Sequence, residues 1–316
     1  MRTNERIVGF SQTYATPEYD MSLEDFIIHA YCQICAAYAA VVHSPLRRRG
    51  FAPALSDEEV LTMEFVGAYL GLHQDQQIWA YFRRHWQPWF PALGARSSFV
   101  RQSAHLWAVK QCIQRHWVSR LQSSQRPVHL VDGFPVPVCH FKRAHASEVF
   151  AGQATYGFCA SKAQTYYGFK AMLLTSDEGV IEDIALLAAN VDEREALRDM
   201  DLSRISGMLL GDKGFISPIL HQELASQGID LQTPLRRNMT ETRPHGFTRW
   251  LTKTRRRVET VIGQLADRFA IEQHRARDLW HLVSRLYRKV AAHTLCVLLN
   301  RQLGRPLLQL DGLVSV

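Results

Sequence analysis

Two aspartates interrupt apolar runs that otherwise read as buried strands. "ISGMLLGDKG" ends in Asp212, with Lys213 and Gly214 behind it, and "VHLVDGFPVPVC" carries Asp132 directly after "VHLV" and before Gly133. An ionised carboxylate in such a setting is costly unless it is hydrogen-bonded, ion-paired or bound to a metal. One such residue is ordinarily a turn or a cap. Two at the ends of strands of one sheet, with a third carboxylate on a helix able to pack beside them, make a more specific pattern. The third is Glu259 in "RRRVETVIGQL". An i,i+4 pair with Arg255 on a solvated face would account for it, but its neighbours Val258, Val261 and Ile262 set it at the border of a buried face. The other acids have local readings: Asp177 in a hairpin turn, and Asp192 and Glu193 in the first turn of a helix, where acids suit the dipole.

The elements that must position these residues follow from periodicity. Residues 1 to about 122 read as an all-helical segment: "MSLEDFIIHAYCQICAAYAAVV", a basic loop "HSPLRRRGFAP", a helix opened by the Ser56 and Glu59 capping box and stopped at Gly71, a helix from Gln74 to His85, and one from Ser98 to Leu121. The short helix pair followed by the arginine-bearing "FVRQSAHLW" fits a helix-turn-helix DNA reader or an ordinary bundle. Tryptophans at helical spacing (Trp79, Trp86, Trp89, Trp107, Trp117) fit a core better than base stacking. After the linker "SSQRP" the pattern turns to strands, predicting five in a mixed sheet covered by helices over residues 123–316, with two long helices at the end.

Composition bounds the function classes. A chain of 316 residues with 47% hydrophobic content can bury a substantial core. It has no apolar run long enough to span a bilayer, and "MRTNERIVGFSQTY" lacks the apolar stretch of an export signal. An intracellular protein is expected, with Cys32, Cys35, Cys112, Cys139, Cys159 and Cys296 as free thiols. Cys32 and Cys35 form a CxxC without a second ligand pair at finger spacing, so no zinc is assigned. The net charge is +7 and is unevenly placed: residues 236–305 carry 16 Lys+Arg against 5 Asp+Glu. Such a basic segment suits a phosphate backbone.

These motifs together resemble the DDE transposases of bacterial insertion sequences, and among them the insertion-sequence 982 group. The resemblance runs through "LSDEEVLTMEFVGAYLGL", "IWAYFRRHW", "VHLVDGFPVPVC", "YYGFKAMLL", "AANVDEREAL", "GDKGF", "IDLQTPLRRNM", "RRRVETVIGQLADRF" and "RARDLWHL". It implies an RNase H-like catalytic domain in which Asp132, Asp212 and Glu259 bind Mg²⁺, with Mn²⁺ able to substitute. The implied activity is cleavage at the element's ends and strand transfer into target DNA. The partners would be double-stranded DNA, as terminal inverted repeats and as target, and a second copy of the chain on that DNA, in the bacterial cytoplasm with the nucleoid. Lys170, Lys213, Arg236, Arg237, Arg255, Arg256, Arg257 and, in the helical half, Arg101 are the expected DNA contacts. Related families carry a tyrosine, arginine and lysine around the glutamate; Arg255 fits, but Thr252 and Ala266 stand at the other two positions. The alternatives are an RNase H-like nuclease without strand transfer and an inactive DNA-binding derivative.

Overall fold

The computed structural model describes residues 21–47, 52–160 and 162–315; residues 1–20, with the segment examined for an export signal, and Arg48, Arg49, Gly50 and Phe51 of the basic loop lie outside the described residues. Five helices come first: α1 (Leu23–Val41), α2 (Asp57–Tyr69), α3 (Asp75–His85), α4 (Arg96–His105) and α5 (Trp107–Arg120). The capping box of α2 is present on both sides. Ser56 Oγ accepts from the Glu59 N–H at 3.1 Å, and Glu59 Oε2 accepts from the Ser56 N–H at 2.7 Å. Gly71, one residue past the cap, takes the left-handed φ of 78° that lets the chain reverse into α3. Ser56→Ala is expected to lower the unfolding free energy by about 1 kcal/mol in a urea melt.

The single helix predicted from Ser98 to Leu121 is two. The Ser103 carbonyl accepts from the Leu106 N–H at 3.2 Å, from Lys110 Nζ at 3.1 Å and from Ser284 Oγ at 3.2 Å, which opens the helix between α4 and α5. α2 is buried on nearly every side, as are Trp117 and most of the final helix, so the first five helices read as a packed bundle.

The second part holds β1 (Val128–Pro137), β2 (Thr155–Cys159), β3 (Gln164–Ser176), β4 (Ile181–Ala188), α6 (Glu193–Arg198), β5 (Gly207–Leu210), α7 (Pro218–Ser226), β6 (Ile229–Gln232), α8 (His245–Asp267) and α9 (Leu279–Gln302). The strands form one mixed sheet of order β2-β3-β1-β5-β6, with β4 also paired to β3. β1 runs antiparallel to β3 and parallel to β5, which is parallel to β6. The five predicted strands are β1, β3, β4, β5 and β6. The sixth, β2, pairs with β3 and has no buried residue, so it lacked the apolar pattern by which the others were read.

Alternation along the strands divides the core. Leu130, Leu173 and Leu210 pack in one cluster with α5, α8 and α9, while Val131, Met172, Leu174 and Leu209 pack in another with Ala196 and Leu197 of α6 and Leu220 and Leu224 of α7. The sheet is therefore covered on both faces. α9 lies against α2, α4 and α5, so the end of the chain shares a core with its helical beginning. No helix of the described residues is long and apolar enough to cross a membrane.

His293 of α9 is fully buried, and its Nε2 donates to Gln264 Oε1 at 2.9 Å, since the Gln264 amide nitrogen is committed to the Leu308 carbonyl. Burial holds this imidazole neutral, with its pKa lowered to about 4 from 6.5. The unfolded chain then binds a proton that the folded chain refuses. Stability should fall as pH drops below 6.5 and level off below about 4, by at most about 3 kcal/mol for this group. Urea melts of wild type and His293→Gln across that window test it: the variant should lose the part of the slope that His293 contributes.

Candidate active site

Parallel pairing brings the two aspartates together. β1 and β5 are in register at Leu130 and Leu210, and Asp132 and Asp212 each lie two residues further; Asp212 follows the end of β5, whereas Asp132, expected at a strand end, is midway along β1, which continues to Pro137 against β3. The period of two turns Asp132 to the face covered by α8. Each carboxylate accepts from the next backbone N–H: Asp132 Oδ1 from Gly133 at 2.8 Å and Asp212 Oδ1 from Lys213 at 2.6 Å. Arg255 reaches both from α8, Nη2 lying 4.0 Å from Asp132 Oδ2 and Nη1 3.6 Å from Asp212 Oδ1. These distances are ion pairs through space, too long for hydrogen bonds. The Arg255 side chain is 12% exposed, and its Nε is buried without a hydrogen-bond partner among the described residues. Burial pushes the Asp132 carboxyl up to about 6, against the Gly133 N–H and Arg255, with the negative charges of Asp212 and Glu193 adding to the rise.

Glu193 comes near this point from the other face of the sheet, the one covered by α6. The loop before it is fixed by Lys170 Nζ, which donates to the Val191 carbonyl at 2.8 Å, and by Asp192, which caps α6 and pairs with Arg194 at 2.7 Å. Glu193 then opens α6 with its carboxylate against the glycines that follow the two aspartates. A Cβ built on Gly133 would lie 3.7 Å from Glu193 Oε1, and one on Gly214 would lie 2.1 Å from Oε2. Burial raises its pKa, Lys170 and Arg255 oppose the rise, and Asp212 and Asp192 add to it. From sequence, Glu193 read as a helix-dipole acid.

Glu259 is exposed on α8, one turn beyond Arg255. Among the described residues no three His, Cys, Asp or Glu side chains converge closely enough to hold one metal ion. The donor chemistry nonetheless suits a hard divalent cation: the carboxylates of Asp132 and Asp212, 22% and 50% exposed, face the single guanidinium of Arg255. A family model for the transposase DDE domain matches residues 122–279, half of the chain. The chain belongs to this family. No curated protein and no solved structure matches it.

The transposase match begins just before β1 and ends where α9 starts, so it takes in Asp132, Glu193, Asp212, Arg255 and Glu259. Membership makes the protein an enzyme of the nuclease and transposase class with DNA as its partner, in a family that uses divalent metals. Of the cations expected to meet DNA, Lys213, Arg236, Arg237, Arg256, Arg257 and Arg101 are exposed. Arg255 differs, because it faces the aspartates, and Lys170 is tied to the loop before α6. Part of the basic run is internal: Arg288 and Lys289 are buried, and Arg285 and Arg288 are spent on Asp75.

Proposed function

We propose that this transposase cuts DNA at the ends of the element encoding it and joins the freed 3′ hydroxyls to target DNA, with Asp132, Asp212 and Glu259 holding Mg²⁺, or Mn²⁺ in its place. The observation that carries this reading is that Asp132, midway along β1, and Asp212, just past the end of the parallel neighbour β5, lie side by side and share Arg255, in a chain of the DDE family. When bound, the metal activates the attacking oxygen and stabilises the leaving one. The protein's own residues do the positioning. The sheet fixes the two aspartates on β1 and the end of β5, and Arg255 balances their charge from α8. Glu259 lies on that same helix and completes the set by a side-chain movement toward the aspartates. The proposed assignment within the family is the insertion-sequence 982 group, acting as a homodimer on DNA near the nucleoid.

The test is incorporation of a labelled donor end into a plasmid by the purified protein with Mg²⁺. Joined product supports a transposase; cleavage without joining supports a nuclease, and neither product supports an inactive derivative.

The exposed arginines divide from the helical half by function in this reading: Arg236, Arg237, Arg256 and Arg257 hold phosphates, while Arg101 and its neighbours on α4 read the terminal repeat. Arg256→Ala with Arg257→Ala should weaken binding to every duplex alike and reduce the slope of log K against log salt by about one unit per arginine. Fluorescence anisotropy over a salt series measures it. A change in preference for the terminal repeat with an unchanged slope would reverse the assignment.

A further inference from the structure

We propose that the edge of the sheet at β2 binds an unpaired DNA strand, its bases stacked on Phe141, Tyr156 and Phe158 and its phosphates against Lys142 and Arg143. The inference rests on DNA being the partner of this family and names a surface outside the aspartate site.

The aromatic rings are the first observation. Tyr156 and Phe158 stand on one face of β2, two residues apart, and Phe141 opens the short 3-10 helix Phe141–Ala146 that follows β1. Tyr156 is 48% exposed, Phe158 65% and Phe141 44%. The rings are held in place all the same: Phe141 meets Tyr156 edge-on with centroids 5.9 Å apart, and Tyr156 lies 5.1 Å from the buried Tyr167 of β3. Gly157 sets their direction. A Cβ there would lie 2.7 Å from the Ala189 carbonyl oxygen and 2.8 Å from the Ala189 Cβ, so the glycine lets one face of β2 press on the chain after β4 and turns the aromatic face outward. Tyr156 pairs with Tyr167, and Asp132 with Leu173. Tyr167 and Leu173 fall on the same side of β3 at a period of two, so the rings share the face of the sheet that carries Asp132.

Charge and reach select the occupant. Lys142 and Arg143 follow Phe141 directly, exposed and without an ion-pair partner among the described residues. Lys162 is taken by Glu272 at 2.7 Å, and from Cys139 to Ala163 the sequence holds Lys142, Arg143 and Lys162 against Glu148 alone. Asp192 and Glu193 also border this edge, but from the side of α6, where Asp192 is paired with Arg194 and Lys170 stands beside them. The phosphates therefore belong on the Phe141 side. An apolar protein surface would cover the rings and leave the two free cations unmatched. A duplex has its base faces already stacked on one another, whereas an unpaired strand offers them to aromatic rings. Gly168 of β3 pairs with Pro137 on one side and Thr155 on the other, so the rings lie on the order of 20 Å from Asp132 along the sheet. About six stacked nucleotides at roughly 3.4 Å each span that distance, which lets a strand freed at the aspartates lie on the rings.

The test uses the full chain without divalent metal, so that no cleavage enters, and reads the fluorescence anisotropy of a labelled oligothymidine and of a blunt duplex of equal length. The single strand should bind, and Tyr156→Ala and Phe158→Ala should each weaken it by about fivefold or more, the low end of base–aromatic stacking, with duplex binding unchanged. Phe158→Trp should keep wild-type affinity, because an aromatic face is retained. Lys142→Ala with Arg143→Ala should reduce the slope of log K against log salt for the single strand by about 0.7 per charge. If Tyr156→Ala fails to give a cooperative thermal melt, Phe158→Ala, at the more exposed ring, decides. Wild-type single-strand affinity in the alanine variants, or equal losses on both DNAs, overturns the proposal. No binding of oligothymidine by the wild type overturns it too, and a change of oligomeric state in the alanine variants would then mark the edge as a contact between copies. Failure to join a donor end, with the single-strand binding and its loss in the variants intact, would count against the transposition reading and leave this surface in place.

Discussion

Asp132→Asn and Asp212→Asn are each expected to reduce DNA cleavage and strand transfer to background, a loss on the order of a thousandfold or more, the scale seen when a group stabilising transition-state charge is removed. Asparagine keeps the size of the side chain and can still accept from the Gly133 or Lys213 N–H, so the backbone there should hold its shape. What disappears is the negative charge that a divalent cation requires. The charge is also what Arg255 faces, 4.0 Å from Asp132 and 3.6 Å from Asp212. Each variant therefore relieves repulsion at a crowded anionic point, and DNA binding should survive or tighten. Glu259→Gln is expected to follow the aspartate variants if that residue joins the set. Gel assays of cleavage, with binding measured on the same preparations, separate the two effects. A variant that folds, binds DNA and cuts at near wild-type rate would remove its residue from the site.

How much of this was legible in the sequence depends on which signal a residue left. Asp132 and Asp212 were readable because a charge at the end of an apolar run has no cheap explanation, and their adjacency needed only that β1 and β5 be parallel neighbours. The four core strands and β6 announced themselves by buried side chains. β2 did not, since Tyr156 and Phe158 on it are 48% and 65% exposed and nothing in its run is buried. Glu193 and Asp192 read alike from sequence, as acids at a helix start; the structure separates them, with Asp192 capping α6 and Glu193 lying against Gly133 and Gly214. The basic segment misled in another way. Charge counts treat every arginine as surface, whereas Arg288 belongs to an internal network with partners more than two hundred residues away in the chain.

That network carries the second large expected effect. Glu64→Gln should destabilise the fold by about 3–5 kcal/mol, the cost of leaving buried charge uncompensated. Glu64 and Lys110 are fully buried and meet at 2.6 Å. Ser103 Oγ donates to Glu64 Oε1 at 2.6 Å, and Lys110 Nζ donates to Ser284 Oγ at 2.9 Å. Arg288 lies 3.5 Å from Glu64 and 2.5 Å from Asp75, with Arg285 on the other Asp75 oxygen at 2.6 Å. Burial pushes the Asp75 carboxyl up, but Arg288 and Arg285 outweigh it and hold it below the usual carboxylate range; burial likewise pulls the Lys110 ammonium down, with Glu64 opposing. Removing the Glu64 charge leaves Lys110 and Arg288 facing each other in the core of α2, α4, α5 and α9. The pair itself is a weak source of net stability, because both ions had to leave water. Glu64→Leu combined with Lys110→Met should therefore recover most of what Glu64→Gln loses, and a double-mutant cycle in urea measures the coupling. Additive losses in the double variant would mean that the two charges do not compensate each other. Recovery would mean that α9 is locked to α2, α3 and α5 by matched charges, holding these helices together while α8, carrying Arg255 and Glu259, packs beside α9.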